Sequence, residues 1–511
     1  MSRFYLTTAI DYSNGQPHIG HAYEKIGADA IARFRRLAGD DVHFLIGMDE
    51  HGQKVAQSAA DRGLTPQQQV DEIAANFAAT WKQLSISHDQ FIRTTDESHK
   101  AGVRALIKRI FDSSPDDFYE KSYKGRYCVG CESFKQDAEI VGDKCALHPT
   151  RTLEWVEERN WFFRLSKYQG FLKRLLTDRP EFFQPETRRN EMLALLDQGL
   201  EDISASRSRF AWGVPFPSPL SSGETQTTYV WFDALPNYLT ATGFPAKGFR
   251  DRWPAQLHII GKDITRFHTI IWPAMLQSAE LPLPERVWAH GFVLFSGERF
   301  SKSAGSRVEL SEAIDKYGPD ALRYYLLRDV PFDGDGNFSW ERFDEVYNSE
   351  LANSWGNLVS RAVAMVEKYC DSVVPAAAPT DLDRADAADL ELYRKAMDGS
   401  RGYELHAGIR HAQACVARGN EFVQSSAPWV LAKSAESRGQ LDGVLGALIR
   451  ALARQCVILS PFVPNKAQEA WEQLGGPGRV DAQRLDALGV LAANGWRVKK
   501  GAPLFPKSAG K

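Results

Sequence analysis

Apolar residues recur along this chain in two rhythms, and the switches between them divide it. Phe4–Ala9 is a short apolar and β-branched run, His21–Ala38 carries apolar positions at helical spacing, and Val42–Met48 is again strand-like. That order predicts a βαβ opening. Its right-handed crossover builds a parallel sheet and puts a ligand crevice beyond the carboxyl ends of the strands, where the turns Asn14–His21 and Asp49–Gly52 fall. Between about Pro115 and Thr228 the pattern breaks into short aromatic-rich pieces, as an inserted domain would. Strand-like runs return at Thr228–Trp231, Leu257–Ile260 and Val287–Phe295, with a helix predicted over Ile270–Ala279. From Tyr347 onward, amphipathic stretches rich in Ala, Leu and Arg carry almost no strand signal and predict an α-helical domain. The expected organisation is an α/β sheet interrupted and resumed (residues 1–114 and 229–346), an insert (115–228) and a C-terminal α-helical domain (347–511).

Composition narrows the classes this pattern leaves open. At 511 residues, with 43% hydrophobic and 25% charged side chains, the chain has room for three or four domains and a large core. Lys+Arg number 62 against 65 Asp+Glu, so no overall cationic field would hold DNA or a membrane non-specifically, and an RNA partner must be met by local patches. Six cysteines in so long a chain are no disulfide scaffold. The start MSRFYLTTAIDY has no signal or transit character, so a reducing cytoplasm is expected. The most apolar stretch, Val444–Val463, is interrupted by Arg450, Arg454 and Pro461, and falls short of the roughly 18–20 apolar residues of a membrane span. Asp381–Glu391 reads as a solvated loop and helix start.

Four segments carry candidate chemistry. Pro17-His18-Ile19-Gly20-His21 follows the first strand and opens the first helix. There the free N–H groups and helix dipole attract an anion, Gly20 lets a nucleotide approach, and His18 and His21 can donate hydrogen bonds to charge developing on a phosphoryl group. Arg299-Phe300-Ser301-Lys302-Ser303 lies between Gly297 and Gly305, where a mobile Lys302 suits neutralising a departing pyrophosphate. Cys128-x2-Cys131 and Cys145-x2-His148, separated by 13 residues, have the spacing of a closed Cys3His zinc site, structural because four protein ligands leave no open position. Asp333–Asn337 resembles a calcium loop, but the sixth position is Phe338 and the twelfth Asp344, so a helix-entry turn is expected instead.

The two His and the Ser-Lys-Ser core stand in the order of the two signatures of the class I aminoacyl-tRNA synthetases, which this chain resembles. Further matches bring the resemblance to the methionyl-tRNA synthetase family, of the single zinc-knuckle type. They are Ala9-Ile10-Asp11-Tyr12 with Asn14-Gly15, Asp49-Glu50-His51-Gly52, Tyr229–Ala234, Gly261-Lys262-Asp263-Ile264 with Phe267-His268, His290-Gly291-Phe292, and Leu504-Phe505-Pro506. The resemblance implies a split Rossmann-like catalytic domain that joins L-methionine to tRNA(Met) through a methionyl-adenylate made from Mg2+-ATP. It implies a methionine pocket of Ile10, Tyr12, Trp231, Ala234, Leu235, Tyr238 and His290, with Asp49 on the ammonium; Leu235 stands where some members have Pro. Gly20, Gly261, Asp263, Ser301, Lys302 and Ser303 would join His18 and His21 around ATP. Asn353, Asn357 and Arg361, at i, i+4 spacing, with Pro428-Trp429, would read the anticodon. No appended dimerising domain follows, so a monomer is expected. A class I synthetase for another amino acid and a catalytically inactive tRNA-binding paralogue are the alternatives.

Overall fold

The computed structural model describes residues 2–128, 133–135, 137–146, 148–208, 211–217, 226–295, 298–299 and 309–506. Its centre is a seven-stranded sheet in which every pairing is parallel. Across it run Phe183–Gln184, Val287–His290, Leu257–Gly261, Arg3–Thr8 and Asp41–Asp49, with Asp11–Tyr12 and Gln90–Arg93 both paired to Asp41–Asp49. The first strand pairs on one side with Asp41–Asp49 and on the other with Leu257–Gly261, more than two hundred residues away in sequence. The seam between the two halves of the sheet therefore runs beside the first strand, which is where a doubly wound sheet opens its crevice.

Both faces of the sheet are covered, which is why its central strands are buried along most of their length. Leu6, Phe44, Ile46 and Ile259 belong to one core with the first helix, Ile19–Ala38; Tyr5, Leu45, Ile260 and Val287 belong to the other, with the insert and the helices Glu97–Ser113 and Trp272–Ser278. The first core continues without a break into the C-terminal helices, to Leu504 and Phe505. Within residues 115–217, Phe118–Cys128 and Glu154–Phe163 form a long antiparallel hairpin, and Ile140–Val141, Lys144–Cys145 and His148–Thr152 a small second sheet. Phe183–Gln184, from the stretch expected as the insert, serves as an edge strand of the main sheet.

Several expected elements differ. The run Thr228–Trp231 is not one strand: Thr227–Thr228 pairs with Ser206–Arg207, and Val230–Ala234 is a helix, because burial of Val230 and Phe232 at a turn outweighs their strand propensity. Val287–Phe295 breaks at Gly291-Phe292, where the Phe292 N–H turns to the Asp335 carboxylate at 2.8 Å. The helix expected over Ile270–Ala279 starts earlier with a π-turn, Phe267–Ile271, before Trp272–Ser278. After Asp335 the chain forms the strand Gly336–Phe338 before the helix Trp340–Val346, so the loop there is not a direct helix entry. Among the described residues from 347 onward all regular structure is helical. The acidic patch is more than a solvated face: Asp383, Asp386 and Asp389 form an ion-pair ribbon with Arg450, Arg454 and Arg418 across three helices. No described helix is long and apolar enough to cross a membrane.

Candidate active site

A cleft of about 920 Å³ opens at the carboxyl ends of the strands, on both sides of the seam. It is lined by Ile10, Tyr12, His18, Gly20, His21, Asp49, Trp231, Ala234, Leu235, Tyr238, Gly261, Asp263 and His290, every predicted methionine and ATP residue outside the loop after Arg299. Ser301, Lys302 and Ser303 lie outside the described residues. The backbone of Glu298–Arg299, leading toward them, pairs with Val293–Phe295, and Val293 also lines the cleft.

His18 caps the first helix. Its Nδ1 accepts from the N–H groups of Gly20 (3.1 Å) and His21 (3.4 Å), while His21 Nδ1 accepts from the His18 N–H (3.3 Å). A ring whose Nδ1 accepts carries its proton on Nε2, so each imidazole has its Nε2–H as a hydrogen-bond donor. The rings stack at 3.6 Å. A Cβ on Gly20 would lie 3.0 Å from the His18 ring, so any side chain there would disturb the pair.

The Asp49–Gly52 turn is held from behind. Glu50 is buried and takes the Arg93 guanidinium at 2.7 Å, and His51 Nδ1 meets Asp233 at 2.6 Å. His99 approaches the same Asp233 carboxylate at 3.0 Å. Burial would raise Asp233, but His51 and His99 outweigh it and bring its carboxyl down to about 2. One buried carboxylate thus joins the turn that carries Asp49 to the helix that carries Trp231 and Ala234. Trp231 stacks on Phe267 at 3.6 Å. His268 Nδ1 donates to the Ile264 carbonyl at 3.0 Å, so its Nε2 accepts from the Tyr238 hydroxyl at 2.7 Å. Burial lowers His268 to about 4 and pushes the Tyr238 phenol well above its ordinary range, so both stay neutral. At Gly261 a Cβ would fall 2.7 Å from Asp263 Oδ1 and 3.9 Å from His290 Nε2, so a side chain there would crowd the Asp263 carboxylate.

Beneath this floor lies a polar strut that no sequence motif marks. Lys25, wholly buried, bonds Glu24 (2.8 Å), Asp11 (3.1 Å) and the Ala9 carbonyl (2.8 Å), and Glu24 in turn meets His290 at 3.1 Å. Burial would lower Lys25, but the two carboxylates outweigh it and hold its ammonium charged. Burial pushes Asp11 up to about 7, against the pull of Lys25. The available signal was a Glu-Lys pair on a helix otherwise patterned for the core. Lys135, Glu139, Phe162 and Arg207, all before the second half of the sheet, also line the cleft. Arg207 is clamped over Tyr229 at 4.2 Å.

Of the expected zinc ligands, Cys128 and Cys145 are both buried, and Cys145 pairs in register with the His148 backbone. Cys131 and the His148 side chain lie outside the described residues. Arg126 of the first hairpin donates to the Gly142 carbonyl of the second at 3.4 Å. In the helical region Asn353 and Asn357 are exposed, Arg361 is half-buried, Pro428 is buried and Trp429 is 37% exposed. Asn353 sits in a π-segment, Tyr347–Gly356, whose wider turn keeps residues four apart near one face, and Asn357 and Arg361 sit in the α-helix Asn357–Cys370.

Comparison with known proteins agrees with this geometry. The profile of the family described as tRNA synthetases class I (M) matches residues 4–152 and 143–363. The methionine–tRNA ligase of Caldanaerobacter subterraneus subsp. tengcongensis is 42% identical over 509 residues, covering 99% of this chain and 78% of that protein. The methionine–tRNA ligase of Brucella suis biovar 1 is 42% identical over 516 residues, covering 99% and 98%. The solved structure of Mycobacterium tuberculosis methionyl-tRNA synthetase in complex with methionyl-adenylate superimposes with a TM-score of 0.92 at 38% identity, covering 99% of this chain and 100% of that one. With the family profile matched over more than half of the chain and near full-length identity at this level, the chain belongs to the class I methionyl-tRNA synthetase family.

Proposed function

We infer that the chain is a methionine–tRNA ligase: it activates L-methionine with ATP to methionyl-adenylate and pyrophosphate, then passes the methionyl group to the terminal ribose of tRNA(Met). The observation that carries this reading is the convergence in one cleft of His18 and His21 with Gly261, Asp263 and His290, from the two sides of the seam. In this reading the thioether side chain lies among Ile10, Tyr12, Trp231, Ala234, Leu235, Tyr238 and His290, with Asp49 on the ammonium. Polarizable sulfur suits apolar and aromatic walls. The methionine carboxylate attacks the α-phosphate, and the Nε2–H donors of His18 and His21 stabilise the charge that develops there. Gly20 and Gly261 admit the nucleotide, and Asp263 accepts from its ribose. Lys302, with Ser301 and Ser303, follows the departing pyrophosphate, whose charge Mg2+ shares. Positioning and electrostatics suffice, without a covalent enzyme intermediate.

The same proposal includes a structural zinc ion on Cys128, Cys131, Cys145 and His148, a donor set that leaves no position for substrate. The buried thiols of Cys128 and Cys145 and the Cys145–His148 register support it. It further assigns anticodon recognition to Asn353, Asn357, Arg361, Pro428 and Trp429, the exposed indole supplying a stacking surface. Cytoplasmic service as a monomer completes it. Charging of a tRNA(Met) transcript with labelled methionine tests the reading. Charged product that depends on ATP and is absent with an elongator tRNA for another amino acid supports it, and no charging by zinc-loaded, folded protein overturns it.

A further inference from the structure

We propose that Glu24 is a positioning residue of the amino-acid pocket, setting the orientation of His290 from the first helix. This rests on the reading that His290 borders the methionine side chain. His290 Nδ1 lies 2.7 Å from the Gly291 carbonyl, which can only accept, so this nitrogen donates. Its Nε2 lies 3.1 Å from Glu24 Oε2. Burial would raise Glu24, but the Lys25 ammonium and the hydrogen bond from His290 outweigh it and hold its carboxyl below the ordinary range. An ionised carboxylate also only accepts, so both ring nitrogens face acceptors of the protein itself and neither is left for substrate.

Two aromatic side chains hold the ring further. Phe332 stacks parallel to it at 5.7 Å, and Tyr23 meets it edge-on at 5.5 Å. Glu24 is itself anchored, since its other oxygen takes Lys25, which holds the Ala9 carbonyl and Asp11 on either side of Ile10. A continuous strut therefore links the residues on either side of Ile10 to His290, two parts of the cleft lining on different sides of the seam of the sheet. Its length sets the distance between these two parts, contributed by segments 280 residues apart in sequence. A buried ion-pair chain adds little net stability over an apolar core of the same shape, so a role in specifying geometry is the better account of its presence here.

The test is steady-state ATP–pyrophosphate exchange on Glu24→Gln, Glu24→Asp, His290→Asn and the Glu24→Gln/His290→Asn double variant. Gln keeps the shape and removes the charged acceptor; Asp keeps the charge beside Lys25 and withdraws it from His290 by one methylene. Each should raise KM for methionine by about tenfold, the weight of one hydrogen bond to a charged group, with kcat and KM for ATP within about twofold. In the His290→Asn background, Glu24→Gln should add less than about twofold, because the residue acts through that ring. A rise in KM for ATP instead, multiplicative effects in the double variant, or an Asp variant that binds methionine like the parent would each overturn the proposal. Should His290→Asn alone leave KM for methionine unchanged, it is the pocket reading beneath the proposal that fails.

Discussion

Asp29 offers the most exacting test of how the catalytic half is joined to the C-terminal helices. It lies on the first helix, the one His18 opens, and both it and its partner Arg323 have no exposed side-chain surface. Arg323 gives Asp29 one hydrogen bond at 2.7 Å and sends its others to the carbonyls of Pro461 (2.7 Å), Phe462 (3.2 Å) and Leu84 (3.1 Å). Asp29 also accepts from Arg33 at 2.7 Å and from the Ser87 N–H at 2.6 Å. Asp29→Asn leaves a buried guanidinium without its counter-charge. Removing one partner of such a pair costs about 3–5 kcal/mol, and because Asn keeps the shape and one acceptor the lower end, about 3 kcal/mol, is expected. Urea unfolding followed by far-ultraviolet circular dichroism and by tryptophan fluorescence reads the loss; two probes are needed because a chain of this size need not unfold in one step. Arg323→Met in the Asp29→Asn background should recover part of the loss, with coupling of about 1–3 kcal/mol. Burial would raise Asp29, but Arg33 and Arg323 outweigh it and hold its carboxyl well below the usual carboxylate range. Its contribution is thus full above about pH 4 and lost only as pH falls through the lower folded value, so the deficit should be the same at pH 6 and pH 8. A change within about 1 kcal/mol, or strictly additive variants, would refute the reasoning.

Further expectations follow from the same geometry. His18→Asn and His21→Asn should each lower kcat of methionine activation by about 10²–10³-fold with little change in KM for methionine, as loss of one transition-state donor does; rapid-quench kinetics reads this. Trp429→Ala should leave methionine activation unchanged while lowering kcat/KM for tRNA about 5- to 100-fold, the weight of one stacked base, in a charging assay. Elemental analysis should find one zinc per chain, and Cys145→Ser should lose it and lower the first thermal transition. Because Asp233 is held at about 2, its contribution is complete above about pH 4 and disappears as pH falls through 2. Asp233→Asn should therefore flatten the acid limb of the stability profile measured by circular dichroism.

Much of the fold was legible because a parallel sheet covered on both faces needs continuous apolar runs, and Phe4–Ala9, Val42–Met48 and Leu257–Ile260 have them. The motifs after those strands were legible for a related reason: their ends must turn toward the crevice, so polar residues there stand out. What resisted reading depended on partners far away in sequence. Val230–Ala234 looks extended by residue type and is helical because its aromatics pack at a turn. Glu24 and Lys25 are ordinary helix residues until His290 and Asp11 are placed beside them. Asp383, Asp386 and Asp389 resemble a solvated face until three arginines from other helices meet them. The π-segment before Asn357 leaves no mark in local composition, so it could not be anticipated from the spacing of Asn353, Asn357 and Arg361.

The most direct test of the central claim is amino-acid-dependent ATP–pyrophosphate exchange without tRNA, comparing methionine with cysteine, isoleucine, leucine and valine. The account predicts exchange with methionine, its rate cut by His21→Asn, and at most about a hundredth of that rate with the others. Comparable exchange with another of these amino acids would contradict the pocket assignment, and no exchange from folded, zinc-loaded protein would contradict the assignment of catalysis to this cleft.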